Sequence, residues 1–321
     1  MNNDCPPGNK YIFGPVPSRR LGLSLGVDLV PHKTCSLNCV YCECGRTTTL
    51  TIEDREYVPL EEVMEELSGF LSRKPKIDHI TFSGSGEPTL HSGIQEIIRF
   101  IKSDYPGYKT ALLTNATLFS MSRVRRRVVD ADIIIASVDA ASENAFRKIN
   151  RPHSDLDLSM VIDGISSLKK EYKNQFMIEI FIVPGVNDTR HEIALIRNTI
   201  DKIGAENIFL NSLDRPGTER WVLPADKKTL AGIKDSIYKS DIIQHSDNGA
   251  AYGNHLKDYG PDIISTLRRR PCTLEDISQI TGVNIEDVKK QLELLVENGE
   301  VETEGMQRGV FYKLKTRKIL R

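Results

Sequence analysis

Two hydrophobic rhythms alternate along residues 24–240. The runs LSLGVDLV, HITFSG, TALLTN, DIIIASVD, FMIEIFIV and NIFLNSL are short and almost continuously apolar, as strands buried on both faces are. Between them lie PLEEVMEELSGFLSR, SGIQEIIRFIKS, LDLSMVIDGISSLKKEY and RHEIALIRNTIDKIG. These repeat apolar residues every third or fourth position, the spacing of one helix face. Strands joined by helices predict an α/β fold with a parallel sheet covered on its outer side. Six such units suit an open doubly wound sheet or a partial barrel, and the rhythm does not choose between them.

The alternation breaks at 245–255, HSDNGAAYGNH, a small, polar, glycine-containing stretch that reads as a linker. It divides the chain into residues 11–244 and residues 256–321. In the second part PDIISTLRRR, TLEDISQITG and NIEDVKKQLELLVENGE are helical patterns, and VETEGMQRGVFYKLK reads as two strands turning near Gly309. Three short helices followed by a hairpin predict a winged-helix domain.

Composition narrows the function classes. With 321 residues, 39% hydrophobic and 27% charged, the chain has an ordinary globular profile. No run approaches the roughly 18 apolar residues that cross a bilayer, and MNNDCPPGNK lacks the apolar stretch of a secretory signal. No membrane association and a cytoplasmic location are therefore expected. A net charge of -1 gives no bulk attraction to nucleic acid. Residues 256–321 are also nearly neutral, with 12 Lys/Arg against 11 Asp/Glu. The helix that would read a groove, NIEDVKKQLELLVEN, carries more acid than base. Basic ends at Arg268–Arg270 and Lys313–Arg321 keep a backbone contact to RNA or DNA open, beside protein docking or dimerisation.

Six cysteines in a chain of this length are too few for a disulfide scaffold. Cys35, Cys39 and Cys42 are spaced C-x3-C-x2-C on the loop after the first strand. Three thiolates so placed can hold three irons of a cubane and leave the fourth open to a small molecule. Alternatively they bind structural zinc, with Cys44 or His32 as fourth ligand. Cys5 and Cys272 are distant in sequence and read as plain thiols.

The C-x3-C-x-aromatic-C pattern, with Tyr41 before the last cysteine, resembles the radical S-adenosylmethionine superfamily. Further pieces fall in that family's order at strand ends. Ser85-Gly86-Glu87-Pro88 follows the second strand, Thr114-Asn115 the third, Ser137-Val138-Asp139 the fourth and Val183-Pro184-Gly185-Val186 the fifth. The resemblance covers roughly residues 12–220 and implies a partial (β/α)6 TIM-like barrel with its site at the C-terminal strand ends. It implies a [4Fe-4S] cluster on Cys35, Cys39 and Cys42. It also implies an S-adenosylmethionine site drawing on Tyr41, Gly86, Glu87, Asn115, Ser137, Asp139 and Val186. In that family Gly86-Glu87 would receive the methionine amino group, and Asn115, Ser137 and Asp139 would face the ribose and carboxylate. Val186 would back the adenine. Gly-Ser-Gly-Glu here replaces a plain Gly-Gly-Glu.

The activity so implied is reductive cleavage of S-adenosylmethionine to a 5′-deoxyadenosyl radical, with electrons from a flavodoxin- or ferredoxin-like donor. The substrate expected is an RNA or a protein presented by the winged helix. The opening FGPVPSRRLGLSLGVDLVPHKTCSLNCVYCE is similar to an uncharacterised iron–sulfur group near the tRNA wyosine synthases, but no second close cysteine set is present for a second cluster. Asn150–His153 and Asp214–Gly217 are candidate substrate contacts or ordinary turns, and Ser18–Arg20 should lie toward the opposite barrel end in a structural role. A different class, an iron–sulfur redox or iron sensor with a DNA-binding tail, is the alternative. It would need no methionine site.

Overall fold

The computed structural model describes residues 10–243 and 263–315. Strand β1 (Ile12–Ser18) pairs antiparallel with β2 (Gly22–Val27) as an edge hairpin. The cysteine loop follows and carries a two-residue parallel pair, β3 (Thr34–Cys35) and β4 (Thr49–Leu50). The chain then enters β5 (His79–Phe82), β6 (Lys109–Thr114), β7 (Ile133–Ser137), β8 (Gln175–Ile182), β9 (Ile208–Ser212) and β10 (Ser240–Ile242). With β2 these form the parallel part of an eight-stranded sheet ordered β1-β2-β5-β6-β7-β8-β9-β10. The six predicted runs are β2 and β5 through β9. Strands β1 and β10 were not expected. β1 contains Pro15 and Pro17, which cannot donate to a ladder and are tolerated because this strand is the sheet's edge.

Helices α1 (Leu60–Leu71), α2 (Ile94–Asp104), α3 (Ser122–Val128), α4 (Glu143–Ile149), α5 (Leu158–Glu171), α6 (Arg190–Ile203) and α7 (Lys227–Ser236) cover the sheet. Their ends follow local chemistry. The Thr189 side chain caps α6 by accepting from the Glu192 amide, and Gly204 ends it at φ 72°. Between those ends Ile193, Ile196, Ile200 and Ile203 are buried toward the sheet.

The two faces of the sheet differ, and the difference creates the site. The outward residues Leu25, Val27, Ile80, Phe82, Ile178 and Ile180 join one large apolar core with the helices. The inward positions of β2 and β5 that alternate with them are small or polar, Ser24, Gly26 and Thr81, as are Glu179 and Asn211. Ala111, Leu113, Ile133, Ile135, Met177 and Phe209 instead gather into a second, smaller apolar cluster inside. The interior of the partial TIM-like barrel is thus filled by apolar side chains along β6 to β9 and left open beside β2 and β5.

After residue 263 come α8 (Ile263–Arg269), β11 (Cys272–Thr273), α9 (Leu274–Thr281), α10 (Ile285–Glu297), β12 (Val301–Met306) and β13 (Gly309–Leu314). Strands β11, β13 and β12 form an antiparallel sheet over a small core that includes Leu267, Ile277, Val288, Leu292 and Val301. This module lies against the barrel. Val16 of β1 packs on its core, and Met306 packs on Val40, Phe181, Val183, Leu213 and Val222. Arg215, just after β9, donates to Asp276 of α9 at 2.7 Å. The linker expected at 245–255 lies outside the described residues, as do Cys5 and the basic end Arg317, Lys318 and Arg321. No helix among the described residues is long and apolar enough to cross a membrane.

Candidate functional site

The cysteine loop is held from two sides by backbone. On one side the Lys33 amide donates to the Ser85 carbonyl (2.8 Å), and the Glu87 amide donates to the Thr34 carbonyl (3.1 Å). On the other, the segment after α4 receives the loop: the Asn38 amide donates to the Asn150 carbonyl and the Val40 amide to the Ile149 carbonyl, both at 2.9 Å. The His153 amide returns a bond to the Ser36 carbonyl. Asn150–His153 therefore zips to the cysteine loop through its backbone, and Arg151 pairs with Glu219 at 2.6 Å.

Gly86 is required by this closeness. A Cβ there would stand 2.2 Å from the Thr34 carbonyl oxygen, one residue before Cys35. Gly86→Ala is expected to displace that carbonyl, costing about 1–3 kcal/mol, and to lower iron content after reconstitution. Iron analysis beside a thermal melt checks it; a fully loaded variant with an unchanged melt contradicts it.

Each sulfur of the predicted set meets its own hydrogen-bond donor. Asn115 Nδ2 lies 3.4 Å from Cys35 Sγ, Asn150 Nδ2 lies 3.5 Å from Cys39 Sγ, and Lys33 Nζ lies 3.0 Å from Cys42 Sγ. Burial and the Glu87 charge push the Cys35 thiol up to about 12. Burial, then Asp139, pushes Cys39 well above its ordinary value. Cys42 is lowered to about 5 by a hydrogen bond from Cys44 and by Lys33, although burial opposes this. Lys33 is itself buried, which would lower its ammonium, but the Cys42 sulfur reverses the balance and raises it. Donors aimed at sulfur stabilise bound thiolates. A [4Fe-4S] cluster is held by cysteine thiolates and tuned by hydrogen bonds to its sulfurs, which these three donors supply. The donor set fits a cluster.

Tyr41, Asn115, Ser137 and Asp139 line one small hollow of about 20 Å³ behind the cysteine loop, room for a water molecule. Not all of their polar atoms face it. Asp139 is buried and accepts from Tyr41 Oη (2.5 Å), Asn150 Nδ2 (2.7 Å) and the Phe181 amide (2.9 Å). The Tyr41 ring stacks on Phe181 with centroids 3.8 Å apart. Glu87 accepts from Thr89 Oγ1, Thr114 Oγ1 and the amides of Thr89 and Asn115, which ties the ends of β5 and β6 together. Val186 does not line this hollow; its loop is closed by Asn187, whose side chain bonds the Val183 amide and the Asp139 and Phe181 carbonyls. Lys33 and Asn187 went unrecognised in the sequence. A lysine two residues before a cluster cysteine was the available signal for the first.

Arg215 is not a solvated turn residue. It is buried, with Asp276 at 2.7 Å and Glu43 at 3.5 Å. Arg20 turns inward and contacts Glu179 of β8.

Residues 29–195 match the Radical SAM superfamily. The chain is 36% identical over 279 residues to the UPF0026 protein MJ1312 of Methanocaldococcus jannaschii, covering 84% of this chain and 85% of that protein. It is 32% identical over 300 residues to a protein named GTPase Obg in Brachyspira hyodysenteriae, covering 92% of this chain but only 44% of that relative. The chain thus spans less than half of that relative's length. Its backbone also resembles a radical SAM methyltransferase from Sphaerobacter thermophilus, with a TM-score of 0.53 at 12% identity over 68% of this chain and 66% of that one, a likeness of fold. The match runs through the three-cysteine loop and the strand ends that hold it, and the chain belongs to the radical SAM superfamily, which uses a [4Fe-4S] cluster and S-adenosylmethionine.

Proposed function

We propose that this chain is an enzyme that reductively cleaves S-adenosylmethionine at a cluster held by Cys35, Cys39 and Cys42. The observation that carries this is the separate donor, Asn115, Asn150 or Lys33, aimed at each of the three sulfurs. When bound, the two cofactors supply a 5′-deoxyadenosyl radical that takes a hydrogen atom from the substrate. The chain's own residues orient and shield. Lys33 offsets negative charge at Cys42, and Asn115, whose side-chain amide is also engaged by Ser36 and Thr117, holds Cys35 from the end of β6, while Ser137 would face the methionyl group. Gly86 lets the β5 loop approach that group through its backbone, and Glu87 braces the loop from behind. Tyr41 and Asp139 act on the cysteine loop rather than on the ligand, because their polar atoms are already engaged. Val186 belongs to an apolar wall beside Tyr41. Electrons would come from a flavodoxin- or ferredoxin-like donor.

We read the C-terminal module as a winged helix turned to an internal task. Met306 and Arg308 of its hairpin tip are packed or paired against the barrel and α9, so the wing is not presented to a duplex. Its outer helix α10 begins with Glu286 and Asp287, which disfavours phosphate contact. This weighs against the sensor with a DNA-binding tail. Between module and sheet lies a cavity of about 570 Å³, the size of a small-molecule site. A compact substrate enclosed there suits it better than an RNA or protein strand presented by the tail.

The test is anaerobic reconstitution with iron and sulfide, reduction with dithionite, and chromatography for 5′-deoxyadenosine. Slow substrate-free formation supports the reading. A brown, reducible protein that neither binds S-adenosylmethionine nor forms 5′-deoxyadenosine rejects it in favour of a sensor.

A further inference from the structure

The cavity has two unlike walls. One is the inner sheet face, with Ser24, Gly26 and Thr81; the other is α8 of the module, with Thr266 and Arg269. Glu43 and Cys44 of the cysteine loop and Gly84 after β5 reach its edge, so one end adjoins the proposed cluster.

Five arginines line this space against a single carboxylate, Glu43. Three are committed. Arg20 contacts Glu179, Arg215 pairs with Asp276, and Arg269 contacts Asp28 and lies over the Phe13 ring at 4.1 Å. Arg19 and Arg270 have no ion-pair partner among the described residues. Both are half-buried. They are also close enough to Arg20 to lower its pKa to about 10, after the larger effect of burial. Like charges gathered in a partly dehydrated space repel one another, and an anion placed among them removes that penalty. Guanidinium forks bind phosphate and carboxylate oxygens in pairs.

We infer that this cavity is the substrate site, and that the substrate is a small molecule whose phosphate or carboxylate group is bound by Arg19 and Arg270 beside Arg20. The group would anchor one end and leave the rest of the molecule to extend toward Cys44 and Gly84. The inference rests on the enzymatic reading for its reacting end, whereas the anion site is testable without catalysis.

The experiment is calorimetric titration of reconstituted, full-length protein under anaerobic conditions in low-salt buffer free of oxyanions. Inorganic pyrophosphate and tricarballylate serve as the phosphate and carboxylate probes. One of them is expected to saturate a single site. Arg19→Gln and Arg270→Gln should each weaken it by about tenfold or more, while Arg99→Gln, on the outer surface beside Asp130, leaves it unchanged. Arg19→Lys and Arg270→Lys should lose affinity as well, because the paired contact of the fork goes even though a positive charge remains. The inference is overturned if neither probe saturates a site, or if both glutamine variants bind as the parent does. Since heat is the readout, a protein that cleaves S-adenosylmethionine yet binds neither probe rejects this inference alone.

Discussion

Cys42→Ala is expected to give a folded protein that holds no [4Fe-4S] cluster and forms no 5′-deoxyadenosine. Folding should survive, because the loop is tied down by the amides of Lys33, Asn38, Val40 and Glu87 and by the Ser36 carbonyl. Cluster binding should not, because two thiolates cannot replace three and each carries one iron. The loss should exceed the 10–100-fold typical of removing an outer hydrogen-bond partner, which is the range expected for Lys33→Met. Cys35→Ala and Cys39→Ala should behave as Cys42→Ala does. Cys44→Ala separates ligand from neighbour. Its sulfur lies 3.8 Å from the Gly84 carbonyl and lines the cavity, so this variant should retain its iron. Iron content and 5′-deoxyadenosine yield decide the matter. A Cys42→Ala protein that stays brown while Cys44→Ala bleaches would move the third ligand to Cys44.

What the sequence disclosed and what it hid divide along physical lines. The parallel strands were legible because burial on both sides makes their apolar runs nearly continuous. Strand β1 was not, since its prolines argue against a strand until its edge position is known. The cysteine set is local, three residues within eight, and its spacing carries its chemistry. The donors to those sulfurs are not local. Asn150 meets Cys39 across 111 residues, and no composition or period announces that contact. Asn150 looked like part of a substrate loop because it precedes Arg-Pro, a turn signal, whereas folding uses that turn to clasp the cysteine loop. Arg215 misled in the same way. Pro216 and Gly217 suggested an exposed turn, but its partner Asp276 stands 61 residues away in the other module. Arg19 and Arg20 precede the first parallel strand and were expected to be structural. Arg20 does brace Glu179, but the inward turn that places both at the cavity depends on the β1–β2 hairpin.

Asp276→Ala is expected to loosen the C-terminal module by about 3–5 kcal/mol, the scale for breaking a buried ion pair by removing one partner. Both side chains of the Arg215–Asp276 pair are 8% exposed. Arg308 adds a second guanidinium to the same carboxylate at 2.7 Å. Glu43 and Asp214, at 3.5 and 3.9 Å from Arg215, are too distant to replace it fully. Asp276 is also the third residue of the capping box begun by Thr273, so some of the loss falls on the start of α9. Thermal unfolding and hydrogen exchange across α9 and β13 would measure the effect, and an Asp276→Ala protein within about 0.5 kcal/mol of the parent contradicts it. Combining Arg215→Met with Asp276→Leu should recover the part of the loss that comes from stranding Arg215, while Arg308 and the start of α9 still lack the carboxylate. The pH dependence has a fixed sign. Burial alone would raise the Asp276 pKa, but Arg215 and Arg308 hold it well below the ordinary carboxylate range. A carboxyl depressed on folding adds stability that is complete above its unfolded value and is lost as pH falls toward the folded one. The module should therefore stay docked at pH 5 and begin to release only below about pH 4, and in Asp276→Ala that acid-sensitive part of the stability should be missing.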